Sequence, residues 1–330
     1  MKQFKLMNNV AGWLMFLFAL VVYGSTIEQS ASFWDCGEFV PACLKLEVVH
    51  PPGAPMFIII GRIFTLFAGS DMTQVPVMIN LMSGLASAFA VLFLFWSITL
   101  LARKVLIKSE DDYTLFNKVA IIGAGIIAAA AGTFCDSFWF SAVEGEVYAL
   151  SIGFLMFVVW AIFKWDSIED DEYADKWFIM IGFAIGLSLG VHLLSLLALP
   201  ILGVVYYFKK YKYQHLSFLI AMALSFASVP LIMSFVISGT PSFAAMFDKL
   251  FVNSFGLPFY VGAIFSILLI LVSLFSVSYF NRKNGYADWQ LALIVVVSSL
   301  ILISSSSFDD ASAALASIYR RPAAHLLQEF

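Results

Sequence analysis

The stretch PMFIIIGRIFTLFAG, Pro55 to Gly69, decides how the chain is laid out, because it is apolar enough to enter a bilayer yet only fifteen residues long. A helix of that length rises about 22 Å, against a hydrocarbon core of about 30 Å. Arg62 stands at its middle, where a charge would cost at least ~2.5 kcal/mol in a spanning helix. The stretch is therefore expected to lie at the membrane interface and return to the side from which it came. The next crossing is then Pro76 to Leu101, ending at Arg103, Lys104 and Lys108.

Composition sets the frame for that choice. Of 330 residues, 62% are hydrophobic and 12% charged, and the mean hydropathy is +0.93, well beyond a soluble domain, whose apolar share is nearer half. The expected fold is an all-α polytopic membrane protein. Long apolar runs fall near 10–27, 76–101, 119–134, 147–163, 177–208, 216–238, 259–280 and 289–306. The run 177–208 is long enough for two crossings, giving about nine transmembrane helices. The first run follows Lys2 and Lys5, has the length of a span and is followed by no A-x-A cleavage site, so it is expected to stay in the membrane.

Basic residues fix the orientation. With Pro55 to Gly69 at the interface, 13 of the 18 Lys and Arg fall in loops on the side of the N-terminus, including Lys118, Lys164, Lys176, Lys209, Lys210, Lys212, Arg282 and Lys283. That side is expected to be the cytoplasm. A crossing at 55–69 would put most of those charges outside. The net charge of −4 says little about partners in a chain this apolar, and nothing in it resembles a nucleic-acid site. Three cysteines, Cys36, Cys43 and Cys135, are too few and scattered for a disulfide framework or metal cluster and are expected to be small apolar fillers.

The outer side collects the ionisable groups that need a reason. Ser32 to Phe57, SFWDCGEFVPACLKLEVVHPPGAPMF, carries Asp35 and Glu38 at i, i+3, one face of a helix. An acid pair is also what a helix start attracts, through the positive end of its dipole. The following His50-Pro51-Pro52-Gly53 and Pro55 force a rigid extended turn. Between the third and fourth spans, DSFWFSAVEGEVY supplies Glu144 and Glu146, which at i, i+2 converge only if Gly145 bends the chain. One of them would oppose Asp35; the plain alternative is an acidic loop with interfacial aromatics.

His192, in GLSLGVHLLSLLALP, is either a packing residue or an intramembrane site. Arg62, Lys249 and Asn253 are the outer-side donors able to hold an anion, with snorkelling anchors as the alternative. The run Ile168 to Asp175, IEDDEYAD, is expected to be a solvated loop.

No HExxH, G-x-S-x-G, P-loop or dinucleotide fingerprint occurs. Carboxylates without a thiol nucleophile support general-base transfer onto a hydroxyl, and in a membrane the donor would be lipid-linked. The phrases FWDCGEF, LEVVHPPGAP, FWFSAVEGEVYAL, GLSLGVHLL and FGLPF resemble the GT-C membrane glycosyltransferases over about residues 1–306. They are most similar to a family frequent in Bacteroidetes, long catalogued as a domain of unknown function, with an animal relative that O-mannosylates proteins in the endoplasmic reticulum.

The resemblance implies a transmembrane domain at 1–306 with interfacial helices in its first outer loop, and a divergent tail at 307–330 in place of the soluble part usual in the family. It implies Asp35 as catalytic base, Glu38 as its supporting carboxylate, His50 shaping the loop, and Glu144 or Glu146 across the cleft. The expected reaction is inverting transfer of a sugar, most simply mannose, from a polyprenyl-phosphate to Ser or Thr of an exported protein. The expected place is a bacterial inner membrane, with the N-terminus cytoplasmic and the site facing the periplasm. Arg62, Lys249 or His192 would offset the leaving phosphate without a metal cofactor, while the carboxylates could equally hold a divalent cation. The rival class is a proton- or ion-coupled transporter built on Asp35, Glu38 and His192; a non-catalytic assembly subunit is a third.

Overall fold

The structure is a computed structural model that describes residues 2–50, 53–169 and 171–283. Twelve α-helices follow one another among the described residues: α1 Lys2–Ser25, α2 Cys36–Lys45, α3 Pro55–Thr65, α4 Val75–Leu106, α5 Leu115–Thr133, α6 Asp136–Val143, α7 Val147–Asp166, α8 Asp171–Leu189, α9 Ala198–Lys210, α10 His215–Leu231, α11 Gly239–Phe255 and α12 Val261–Lys283. The chain is thus an all-α, multi-pass membrane protein. Among the described residues, six helical stretches are long and apolar enough to cross a membrane: Lys2–Ser25, Met72–Leu106, Leu115–Thr133, Val147–Asp166, Leu193–Lys210 and His215–Phe255. The expected ninth crossing, 289–306, and the 307–330 tail lie outside the described residues.

Pro55 to Gly69 does not form a span. Proline opens α3, whose eleven residues give way to a 3-10 turn at Leu66–Ala68 and stop at Gly69, where φ is +61°. The α3 face carrying Phe57, Ile58 and Gly61 is buried on α2 and on the start of α4, with Gly61 against Cys43 and Ile79. α2 and α3 are therefore a short pair at one end of the bundle, as an interfacial assignment requires.

Both ends of the bundle can be followed by contacts. At one end the Tyr23 hydroxyl of α1 donates to Thr133 O of α5 at 3.1 Å, Glu28 N–H donates to Val143 O at 3.1 Å, and Met56 N–H donates to Gly190 O at 2.8 Å. At the other end Phe4 stacks near Tyr113, Lys104 pairs with Asp166, and Lys209 Nζ donates to the carbonyls of Trp165, Asp166 and Ile168. Basic residues thus gather at one end and the expected site residues of the first half at the other.

α4 is the centre, packing against α1, α5 and α7. Its 32 residues rise about 48 Å, more than a bilayer core, so it tilts or projects beyond it. Close approach to α7 depends on Gly153, where a Cβ would meet Ala86 O at 3.2 Å. Run 177–208 makes two helices, as its length requires. The helix stops at Gly190–His192 and resumes through a 3-10 turn, Leu193–Leu197, into α9. Trp165 at the end of α7 touches both Phe178 near the start of α8 and Tyr206 near the end of α9, which makes α8 and α9 antiparallel.

Two expectations change. From Asp171 the IEDDEYAD run is already helix, not loop, because acidic residues suit a first turn, where free N–H groups face them. Helix also continues beyond 238: Pro230 breaks the i to i−4 ladder of α10, a π-helical turn at Ile232–Ile237 absorbs the mismatch, and α11 follows directly.

Candidate functional site

Asp35, Glu38 and His50 come together at the end of the bundle that holds α2 and α3, with a ligating atom of each within 4.8 Å of the others. Helix α2 creates half of this. Asp35 is its N-cap residue and Glu38 lies in the first turn, but the Asp35 carboxylate makes no capping bond. The helix-start reading thus gives the positions of both acids, while leaving the Asp35 side chain uncommitted to the backbone.

The other half is a clip. Glu38 accepts the His50 backbone N–H at 2.7 Å through Oε1 and meets the ring Nδ1 at 2.7 Å through Oε2. His50 therefore shapes the loop by fastening it to α2. The contact holds the Glu38 carboxyl below its usual range and raises the His50 imidazole, chiefly through that hydrogen bond. Trp34, immediately before Asp35, has φ +74°, a left-handed conformation that an aromatic residue adopts only when its surroundings impose it. Phe33 and Trp34 are left 97% and 87% exposed.

Glu144 and Glu146 stand against this group from the α6–α7 junction. The condition set by their spacing is met: Glu146 N–H donates to Glu144 O at 3.0 Å, closing a three-residue turn at Gly145. The turn is pressed onto α4, since a Cβ on Gly145 would meet Ile79 Cγ2 at 2.8 Å and Asn80 Oδ1 at 2.9 Å. Asn80 in turn donates to Glu28 O and Ser30 O at 2.7 and 3.0 Å. One buried amide thus ties the α1–α2 loop to the helix that supports the acid turn.

Both glutamates are buried, 6% and 4% exposed. Burial, then the neighbouring Glu146 charge, pushes the Glu144 carboxyl up to about 7, with the Ser32 hydroxyl pulling the other way. Burial and the Asp35 charge raise Glu146, while the Cys36 thiol and the Asp35 backbone N–H bond to it and lower it. Cys36 corrects an expectation. It is not merely a filler: its Sγ lies 3.9 Å from Glu146 Oε1, and burial with both glutamate charges pushes the thiol up to about 12, keeping it a neutral donor. No spacing rule could have found that contact, which joins residues 110 apart.

A cavity of about 1000 Å³ opens beside the acids, lined by Ser30, Ser32, Trp34, Phe140, Glu144, Glu146 and Tyr148 among others, at the upper end of small-ligand pockets. His192 reaches this region through Tyr148, whose ring lies 5.3 Å away, while its own Nδ1 accepts the Leu194 N–H at 3.1 Å. Arg62 does not join the acids: it donates to Leu44 O at 2.8 Å and Thr65 Oγ1 at 3.2 Å, anchoring α3 to the end of α2. Lys249 and Asn253 are exposed, one turn apart on α11, which packs on α12.

Residues 35–215 match the family profile described as the Protein O-mannosyl-transferase TMEM260 N-terminal domain. The chain belongs to this family. The match begins at Asp35 and takes in Glu38, His50, Arg62, Glu144, Glu146 and His192, leaving Lys249 and Asn253 beyond it. A protein O-mannosyl-transferase tmem260 of Dictyostelium discoideum is 27% identical over 151 residues, 44% of this chain and 16% of the relative. The protein O-mannosyl-transferase TMEM260 of Mus musculus is 27% identical over 217 residues, 65% of this chain and 28% of the relative. This chain therefore spans under a third of the length of either family relative. No solved structure matches it.

Proposed function

We propose that this chain is the membrane part of a protein O-mannosyltransferase, moving mannose from a polyprenyl-phosphate to a Ser or Thr hydroxyl of an exported protein. The observation that carries the reading is the meeting of Asp35, Glu38 and His50 with the buried Glu144–Glu146 turn, inside the segment that matches the family. Asp35 takes the hydroxyl proton as the acceptor oxygen bonds to the anomeric carbon. The bond from that carbon to the phosphate oxygen breaks on the opposite face, and the electron pair leaves with the lipid phosphate. One displacement inverts the centre, and the general base accounts for about 10²–10⁴ of the rate.

The Glu38–His50 clip supports this assignment, because it fixes the loop around Asp35 without engaging the Asp35 side chain. The cavity of about 1000 Å³ beside Glu144 and Glu146 has room for a saccharide. Asp35, Glu38 and His50 are also the residues that would hold a divalent cation, supplying Lewis-acid stabilisation of a phosphate. Two of those three are already satisfied by one another at 2.7 Å, which favours the metal-free reading. His192, which reaches the cavity through Tyr148, is the residue we assign to the leaving phosphate. We place the site end outside the cytoplasm on the strength of the basic residues at the opposite end, and in a bacterial inner membrane toward the periplasm on the resemblance to the Bacteroidetes family.

The test is transfer of label from polyprenyl-phosphate-mannose to a Ser/Thr-rich peptide by the purified chain, with Asp35→Asn alongside. Label in the wild type and none in a folded Asp35→Asn protein is expected. Equal label in both removes Asp35 as the base; label in neither, with donor bound, removes the transferase reading for this chain.

A further inference from the structure

A second polar cluster lies at the lysine-rich end, remote in the chain's layout from the carboxylates. Helices α1 and α7 both pack on α4 and leave a groove floored by Trp96. Trp13 of α1 and Trp160 of α7 flank it, with ring centroids 6.1 and 5.6 Å from that of Trp96. A cavity of about 400 Å³ opens there, lined by Lys5, Asn8, Arg103 and Lys164 with the three tryptophans. An adjoining one of about 530 Å³ shares Lys5, Arg103 and Lys164.

Three cations thus converge on one groove, and among the described residues none is paired with an acid. Two acids border the second cavity: Asp166, taken by Lys104, and Glu169. The Trp96 indole N–H is buried with no acceptor, and Asn8 Oδ1 with no donor. Leaving such a group unmatched costs about 1–3 kcal/mol; rotation of the Asn8 amide would present its NH₂ to the same space. The positive-inside rule explains basic residues near helix ends. It does not explain three of them sharing a cavity around an orphaned N–H. Cations without a matching acid describe an anion site, and aromatic walls beside them on membrane-crossing helices suit a lipid headgroup.

We propose that this groove binds a phosphate group, presented by an anionic phospholipid of the adjoining leaflet. Lys5, Arg103 and Lys164 would neutralise it, the three tryptophans would wall it, and the acyl chains would lie along the exposed apolar side of α1 at Leu6, Val10 and Leu14.

The experiment titrates the purified, delipidated full chain with phosphatidylglycerol, phosphatidylcholine and, separately, inorganic phosphate, read by native mass spectrometry and thermal melting. Phosphatidylglycerol is expected to bind about tenfold or more tighter than phosphatidylcholine, and Arg103→Gln/Lys164→Gln to erase that preference. Lys108→Gln, at the same end but outside both cavities, should keep it. Lys5→Gln/Arg103→Gln, which leaves Lys164 in place, should weaken phosphatidylglycerol about tenfold and carries the test if the first double variant does not fold. Inorganic phosphate raising the melting point as much as phosphatidylglycerol would assign the site to free phosphate. Equal binding of the two lipids, or a preference untouched by both sets of substitutions, overturns the proposal.

Discussion

Replacing Gly145 by alanine should disable the acid turn without touching a carboxylate. The added methyl would stand 2.8 Å from Ile79 Cγ2 and 2.9 Å from Asn80 Oδ1, closer than side-chain carbons are found. Neither neighbour can move freely: Ile79 is fully buried on α4, and Asn80 is held by two hydrogen bonds to the α1–α2 loop. The turn must therefore lift off α4, carrying Glu144 and Glu146 away from Asp35 and Cys36. Overpacking of this kind costs about 1–3 kcal/mol, and a displacement near 1 Å in a site costs about 100-fold in rate.

Melting of the purified variant and the transfer assay read the two effects. Ile79→Ala should restore room, so the double variant Gly145→Ala/Ile79→Ala should lose less stability than the sum of the single changes. Wild-type melting and wild-type transfer in Gly145→Ala would refute the close packing on which the site's geometry rests.

Glu144, raised to about 7, binds a proton in the folded chain over a pH range where the unfolded chain has lost it. Stability should therefore fall as pH rises from about 4.5 toward 7, and Glu144→Gln should flatten that dependence in melting curves taken from pH 4 to 8. Glu38→Gln should lower the His50 imidazole pKa, seen by NMR of labelled histidine, because the contact that raises it is gone; an unmoved titration would deny the clip. Its effect on stability should be small, since both side chains are partly exposed and such pairs contribute little. The ion pair forms only above the lowered Glu38 pKa and below the raised His50 pKa, so any contribution fades on either side of that window. Treatment with EDTA should leave transfer intact; loss restored by Mn²⁺ or Mg²⁺ would give Asp35, Glu38 and His50 to a metal.

Sequence alone determined the membrane class, that Pro55 to Gly69 is too short to span, and the split of 177–208, because bilayer thickness and the cost of a buried Arg62 are one-dimensional constraints that length and composition answer directly. It also placed Asp35 and Glu38 on one helical face and stated what Gly145 would have to do, since both are local geometry. What it could not supply were contacts between residues far apart along the chain. Cys36 against Glu146, Asn80 bridging to Glu28, and Arg62 spent on Leu44 O instead of an anion all join segments that are far apart along the chain. No periodicity encodes which of several equally apolar helix faces will meet. The groove between α1 and α7 is of the same kind: Lys5, Arg103 and Lys164 are ordinary inside charges in the sequence, and only the packing of two helices on a third puts them around one cavity.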